Sequence, residues 1–394
     1  MANLPLVSVT VNGQVITEFA RGWDVRLGMA RHNIGILDLL YTGPFSSNSS
    51  IPVFPEASVI TVTYGISPAL QVFHGYINHH EVLSDSDSKT PKVTVRYIII
   101  GTSQPFNNES TRSWSSTSAS FIARQVAIQN GLRAVVSPTN RELDYWSQSG
   151  ESDLSLLCDL AEDSGYYFWF DDSSLYFINP DTRLIGPSSA AVPTFLYNRQ
   201  AGLPDTLVDF SDVVGLNVPG QGIQSNRVTY GWDERTGTPF KYSTAVNAGT
   251  TPASTVTPML SQVTTAKYTR NYGQAKAVLS AATSVNRSWL TAKATVIGSN
   301  QLHPGCVVNL QGNALVPNGV GTWLVEEARH VIVPSRVGSG TTAKYATYLT
   351  LTRNSATDVV FSNIYDLSSI GETVPTVLVN GNTWQSSVLQ AYLV

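Results

Sequence analysis

What most constrains this chain is a period of two. Near its start Val7, Val9 and Val11 alternate with Ser8 and Thr10, and near its end Leu290, Ala292, Ala294 and Val296 alternate with Thr291, Lys293 and Thr295. Successive residues of a strand face opposite sides of a sheet, so both regions must be β-structure with one dry face. Asn12-Gly13 supplies a two-residue hairpin turn, with residues 15–19 as the returning strand. Ile60, Val62 and Tyr64 alternate in the same way, and residues 71–77 and 93–100 add two strands on either side of a polar loop at 84–89. This pattern predicts a small barrel or sandwich.

The alternation stops at residues 101–120, where Ser, Thr, Asn and Pro cluster, and a first boundary is placed there. Ser residues at 116–120 can cap a helix that runs to about Asn130, with Ala119, Ile122, Ala123 and Val126 on one stripe and Gly131 as its stop. A second helix is predicted over 152–164. Leu154, Leu157, Cys158 and Ala161 form its apolar face, Leu156 and Leu160 widen it, Glu151 and Asp153 stand at the favourable end of its dipole, and Gly165 ends it. Residues 166–170 and 175–178 flank Asp171-Asp172-Ser173-Ser174 and read as a hairpin. The middle of the chain is thus a compact α+β unit.

Strands resume from about Ala191. A Ser/Thr/Ala/Pro-rich stretch at 236–258 is predicted as a long loop, and a third helix is predicted over 271–285. Beyond it lie strands around Leu290 to Val296, the His303-Pro304-Gly305 turn, the alternating Cys306, Val308 and Leu310, and two long strands at 322–332 and 343–352. Residues after Asn354 form a weakly patterned tail with an Asn380-Gly381 turn. The fold class is mainly β with an α+β middle unit.

Composition excludes several functions. Of 394 residues only 13% are charged, about half the usual share, and the net charge is -4. A dedicated nucleic-acid binder needs an excess of Lys and Arg that this total does not supply. No stretch reaches the ~18 apolar residues of a membrane helix, and Met1 to Pro5 lacks the marks of a signal peptide, so the chain is expected to be made in the cytosol. Cys158 and Cys306 sit in apolar patterns and read as two buried thiols. The phosphate-loop, dinucleotide, zinc-protease and nucleophile-elbow motifs are absent, which leaves a hydrolase without a positive feature. His79-His80-Glu81 is a poor metal site because consecutive strand residues point apart, Asp85 and Asp87 read as a solvated turn, and His303 and His330 as hydrogen-bonded structural residues. No cofactor is expected.

Charge is segregated along the chain. Residues 142–182 hold ten acids (Glu142, Asp144, Glu151, Asp153, Asp159, Glu162, Asp163, Asp171, Asp172 and Asp181) and no Lys or Arg. Residues 236–325 hold no acid and six bases: Lys241, Lys267, Arg270, Lys276, Arg287 and Lys293. Two readings stand: two solvated faces of one subunit, or complementary surfaces that bring subunits or partners together.

Two motifs carry a family resemblance. The first runs Gln148, Glu151, Ser152, Asp153, Leu157 as Gln-x-x-Glu-Ser-Asp-x-x-x-Leu, followed by Leu160-Ala161-Glu162 and Gly165-Tyr166-Tyr167-Phe168. The second is Leu302-His303-Pro304-Gly305, then Trp323-Leu324-Val325 and a closing strand at 349–352. Together they resemble the phage tail baseplate central hub family, which includes contractile-phage hubs, late control D proteins and the hub part of type VI secretion spike proteins.

The resemblance implies two tail-tube-like β-barrel domains, at 1–105 and at 191–355 with its helix, an α+β domain at 106–190 between them, and a C-terminal tail at 356–394. It also implies a structural rather than enzymatic job in the virion baseplate, assembled in the host bacterial cytoplasm. A homotrimer would present six tube-like modules to the tail tube or its distal initiator protein, and three to a separate trimeric spike protein. Baseplate wedge proteins and the tape-measure protein are the other implied partners, and DNA would pass through the lumen without specific binding. No cell-wall-degrading insertion and no needle-like repeat is seen. The competing reading is a β-rich receptor-binding or adhesin tail protein, suggested by eight Trp and seventeen Tyr that could stack on sugars.

Overall fold

The computed structural model describes residues 6–16, 20–42, 53–65, 70–85, 92–139, 142–185, 192–198, 206–215, 225–233, 236–246, 261–263, 290–315, 319–337, 340–354, 358–361, 363–367, 377–379 and 382–384. Its largest element is one 13-stranded sheet assembled from both ends of the chain. In the first β region Leu6–Val11 pairs with Val59–Gly65, then come Leu70–Asp85, Lys92–Gly101, Ile34–Thr42 and Ala20–Gly28, all antiparallel. Asn12 and Gly13 both take positive φ, 47° and 78°, as a two-residue turn requires, and the short return strand is Gln14–Val15.

The second β region joins the first edge to edge. Gly321–Val337 pairs with Ala20–Gly28 from Glu327 opposite Gly28 to Ile332 opposite Trp23. It is followed by Gly340–Arg353, Leu290–Ile297 and Leu207–Gly215, while Val307–Gln311 and Thr194–Leu196 branch from its other end. The hairpin Gly321–Val337/Gly340–Arg353 serves two cores. Ile332 and Tyr345 pack with Trp23, Leu37, Phe73 and Tyr97 of the first region, whereas Val325, Ala328, Leu349 and Leu351 pack with Trp323, Leu310 and Val296 of the second. The sheet curls far enough for Leu6–Val11 to meet Gly340–Arg353, which closes the first core.

The middle unit carries the two helices found among the described residues, α1 (Ala119–Gln129) and α2 (Asp153–Ser164). They cover a three-stranded sheet of Tyr167–Phe170, Ser174–Ile178 and Arg133–Val136, and a two-stranded ribbon of Glu109–Ser118 and Glu142–Ser152 stands beside them. Ile122, Val126, Leu156, Leu157, Leu160, Phe168 and Phe177 fill its core. Both helices begin as the sequence predicts: Ser118 Oγ accepts from Phe121 N at 3.3 Å and Ser152 Oγ from Ser155 N at 3.1 Å. Gly165 at φ 67° ends α2.

Several sequence expectations are corrected. Ala20–Gly28 and Ile34–Thr42, to which no strand was assigned, are central strands whose wet-face charges pair across the sheet, Asp24 with Arg329 and Asp38 with Arg96 at 2.8 Å each. Part of the supposedly irregular stretch at 101–120 is the Ser/Thr-rich strand Glu109–Ser118. The loop predicted at 236–258 contains Thr238–Val246, which pairs along its whole length with Ser225–Asp233. In the last two cases hydroxyl-bearing residues lacking an apolar alternation still form strands because a partner strand satisfies their backbone. The tail is not wholly patternless: Asn363–Asp366 adds in parallel to Thr182–Ile185 of the middle unit. The helix predicted at 271–285, Asp87 and the Asn380-Gly381 turn lie outside the described residues.

Candidate functional site

The first motif is a polar clasp at the point where the ribbon meets both helices. Asp153 opens α2, where the dipole favours a carboxylate. Its Oδ1 accepts from Arg112 Nη2 and, at 2.9 Å, from Gln148 Nε2, while its Oδ2 accepts from Asn130 Nδ2 at 2.7 Å. Gln148, only 1% exposed, accepts from Arg112 Nε through Oε1 at 2.8 Å and donates to the Glu151 carbonyl at 2.9 Å. Arg112 also bonds Gln129 and lies over the Trp114 ring, 5.5 Å from its centroid. Arg112 and Gln148 come from the two ribbon strands, Gln129 and Asn130 from the end of α1, and Asp153 from the start of α2. Such a network is costly when half made and rigid when complete.

The other motif residues surround this clasp. Gly150, at φ 71°, sits where the ribbon register shifts between Ser149 and Glu151, a bulge that turns the strand toward α2. Ser152 caps the helix, Leu157 is fully buried beneath it, and Gly165 ends it. Glu151 joins the network through its backbone carbonyl, and its carboxyl is pushed up by burial and by the charge of Asp159. Sequence reasoning missed Arg112, Gln129 and Asn130. The strand pairing of Arg112 opposite Gln148 reveals the first, and the packing of the α1 end against Arg112 and Asp153 the other two.

The second motif lies at the junction of the three units. The turn between Ala20–Gly28 and Ile34–Thr42 enters the middle unit: Ala30 N donates to the Phe168 carbonyl at 2.8 Å and Asn33 Nδ2 to the Phe170 carbonyl at 2.9 Å. Met29 joins Trp169, Val135, Tyr176 and Ile178 in a separate apolar cluster, against which Tyr365 and Leu367 of the tail also pack. Trp169 stacks on Tyr176 with ring centroids 5.0 Å apart. Gly305, at φ +82°, approaches from the second β region; a Cβ there would lie 2.3 Å from the Trp169 ring. Gly305 N donates to the Val325 carbonyl at 2.9 Å, and Pro304 beside it is buried, so the turn is held on one side by the sheet and on the other by the indole.

Buried titratable groups near this junction are neutral and structural. His330 donates from Nε2 to the Leu302 carbonyl at 2.9 Å and accepts at Nδ1 from the Tyr345 hydroxyl at 2.7 Å; burial lowers its pKa to about 4. Cys158 and Cys306, expected as buried thiols, are each half-buried and unbridged; desolvation still pushes the Cys306 thiol up to about 12. Among the described residues no group of three or more His, Cys, Asp or Glu could hold a metal ion, and no helix is long and apolar enough to cross a membrane.

The arrangement positions three units against one another. Its class follows from the fold. The chain is similar to the tail protein from Neisseria meningitidis MC58, with a TM-score of 0.59 at 14% identity over 89% of this chain and 97% of that one. It is equally similar to the 43 kDa tail protein of prophage MuSo2 from Shewanella oneidensis, with a TM-score of 0.60 at 14% identity over 89% and 99%. A half-lidded Francisella PdpA-VgrG complex matches at a TM-score of 0.50 and 8% identity, over 95% of this chain and 62% of that one. No curated protein sequence matches the chain. The fold is therefore that of β-rich tail proteins. The family model described as phage tail baseplate hub (GPD) matches residues 59–335, and the chain belongs to that family.

Proposed function

We propose that the protein is a non-enzymatic structural hub which forms a ring of three and adapts a sixfold tail tube to a threefold spike. The observation that carries this reading is the pair of β cores joined edge to edge through one hairpin; in our reading they are two modules, 1–105 and 191–355, with the 106–190 unit docked against both. Three such chains around an axis offer six modules. The residues of the two motifs serve this by fixing geometry. Gln148, Glu151, Ser152, Asp153, Leu157 and Gly165 set the shape of the middle unit, and Pro304 and Gly305 set its seat against the second module.

In this reading the tube-facing partner is the tail tube or its distal initiator, the opposite partner is a separate trimeric spike, and wedge proteins pack around the outside in the virion baseplate. The tape-measure protein and DNA pass through the lumen, which a net charge of -4 helps to keep from holding phosphate. Assembly takes place in the host cytoplasm. Light scattering of the purified chain, alone and with its spike, together with images down the particle axis, tests the proposal. A ring of three with six lobes toward the tube is expected; monomers or dimers in the presence of the spike would overturn it.

A further inference from the structure

Beyond Arg353 the chain leaves the second β region and is fastened twice. At the first anchor Asp358 Oδ1 accepts from the amide and the hydroxyl of Thr322 at 2.9 Å each, and Val359 N donates to the Thr322 carbonyl at 3.2 Å. Asn354 holds the turn, accepting from Val360 N and donating to the Val360 carbonyl at 2.8 Å each. At the second anchor Asn363 N donates to the Asp181 carbonyl at 3.0 Å, and Asn363–Asp366 adds in parallel to Thr182–Ile185, with Arg183 opposite Ile364 and Leu184 opposite Tyr365. The segment therefore ties the Thr322 end of the second β region to the middle unit.

The second anchor has the form of a bound ligand. Its backbone pairs with Thr182–Ile185, while Tyr365 and Leu367, two residues apart, pack against the cluster of Trp169, Val135, Tyr176 and Ile178 that Leu184 also joins. An extended peptide adds to a sheet in this way, with adhesion from the main chain and specificity from alternate side chains. The other face is open: Ile364 is 70% exposed, and Asn363 and Asp366 on either side of Ile364 and Tyr365 are exposed as well. Parallel ladders are ordinarily covered on both faces, and a two-stranded ribbon is marginal by itself. Four pairs with one wet face open locally at a cost well below that of global unfolding. Opening uncovers the apolar side of the Trp169 cluster, and burying that surface again draws the segment back.

We propose that Thr182–Ile185 and the Trp169–Tyr176–Ile178 cluster form a strand-addition groove whose ligand is the chain's own residues 363–367, seated there as a releasable latch between the middle unit and the second β region. Seated, the latch reinforces the contact of Gly305 with Trp169. Released, it leaves the groove open to another strand of the same pattern.

Hydrogen exchange of the full-length chain, followed by mass spectrometry, tests the release. The paired amides of 182–185 and 363–367 should exchange together, and about a hundredfold faster than those of Gly321–Val337 paired with Ala20–Gly28. Fluorescence anisotropy with a labelled peptide of residues 361–369 tests the groove. Tyr365→Ala/Leu367→Ala empties it, and Asn363→Pro deletes the bond to Asp181 while keeping both apolar side chains. Both full-length variants should bind the peptide more tightly than the wild type, the first by at least about tenfold, because the tethered wild-type segment competes at an effective concentration on the order of millimolar. A peptide with alanine at both apolar positions should bind neither. Unchanged exchange in α1 and α2 should report that the middle unit stays folded. Residues 363–367 exchanging as slowly as the large sheet, or an emptied groove that takes no peptide, would overturn the latch. Ring formation is read separately by light scattering, so either result leaves the hub reading standing.

Discussion

The two motifs hold the protein together by opposite means. Around Asp153 five polar side chains from two ribbon strands and two helices close on one another, all within the middle unit. Around Gly305 the contact is one of shape: a missing side chain lets a turn of the second β region lie against Trp169. The contrast shows which kind of contact suits which task. Directional hydrogen bonds specify a unique internal geometry and punish any missing member, whereas a close apolar approach sets how whole units sit together and tolerates small shifts.

Breaking the clasp should cost most. Asp153→Ala leaves Arg112, Gln148 and Asn130 without their shared acceptor and should destabilise the protein by about 4 kcal/mol in denaturant unfolding. Arg112→Ala in the same chain should add much less than it does alone, and full additivity would show that the network is not a unit.

On the junction side, His330 offers a pH test. Its folded pKa of about 4 lies below the ordinary value of 6.5, so the unfolded chain takes up a proton that the fold refuses. Stability from this residue is complete above pH ~6.5 and falls by roughly 3 kcal/mol as pH drops to about 4. His330→Gln should flatten the pH dependence over that window; an unchanged slope would place the acid sensitivity elsewhere.

Gly305→Ala should cost about 2–3 kcal/mol through strain at positive φ and the clash with Trp169. Trp169→Leu in the same chain should recover part of that loss and shift the scattering profile, because the seat between units changes while the middle unit keeps its clasp. Ser152→Ala, which removes only the α2 cap, should cost about 1 kcal/mol in thermal unfolding. A Ser152 effect as large as that of Asp153 would dissolve the distinction between cap and clasp.

Legibility followed the range of the interactions. The α2 boundaries, the Asn12-Gly13 turn and the hairpin around Asp171–Ser174 could be read because caps, positive-φ turns and short alternations are decided by residues a few positions apart. Gln148 and Asp153 could be picked out as a motif, but their partner Arg112, 41 residues from Asp153, lay in a stretch that looked irregular. The strand Glu109–Ser118 is Ser- and Thr-rich and becomes a strand by pairing with Glu142–Ser152. Pro304-Gly305 could be read as a turn, yet nothing near it in sequence points to Trp169.

By itself, then, the amino-acid order determined the dry face of the strands that alternate clearly, where α1 and α2 start and stop, and which charges travel together. Tertiary structure alone decided that Gly321–Val337 lies beside Ala20–Gly28, which makes one sheet of the two ends of the chain. The reason is physical: period-two alternation fixes the face a strand presents but not the strand it meets. That choice is made only when loop closure, paired charges and shared cores are satisfied together.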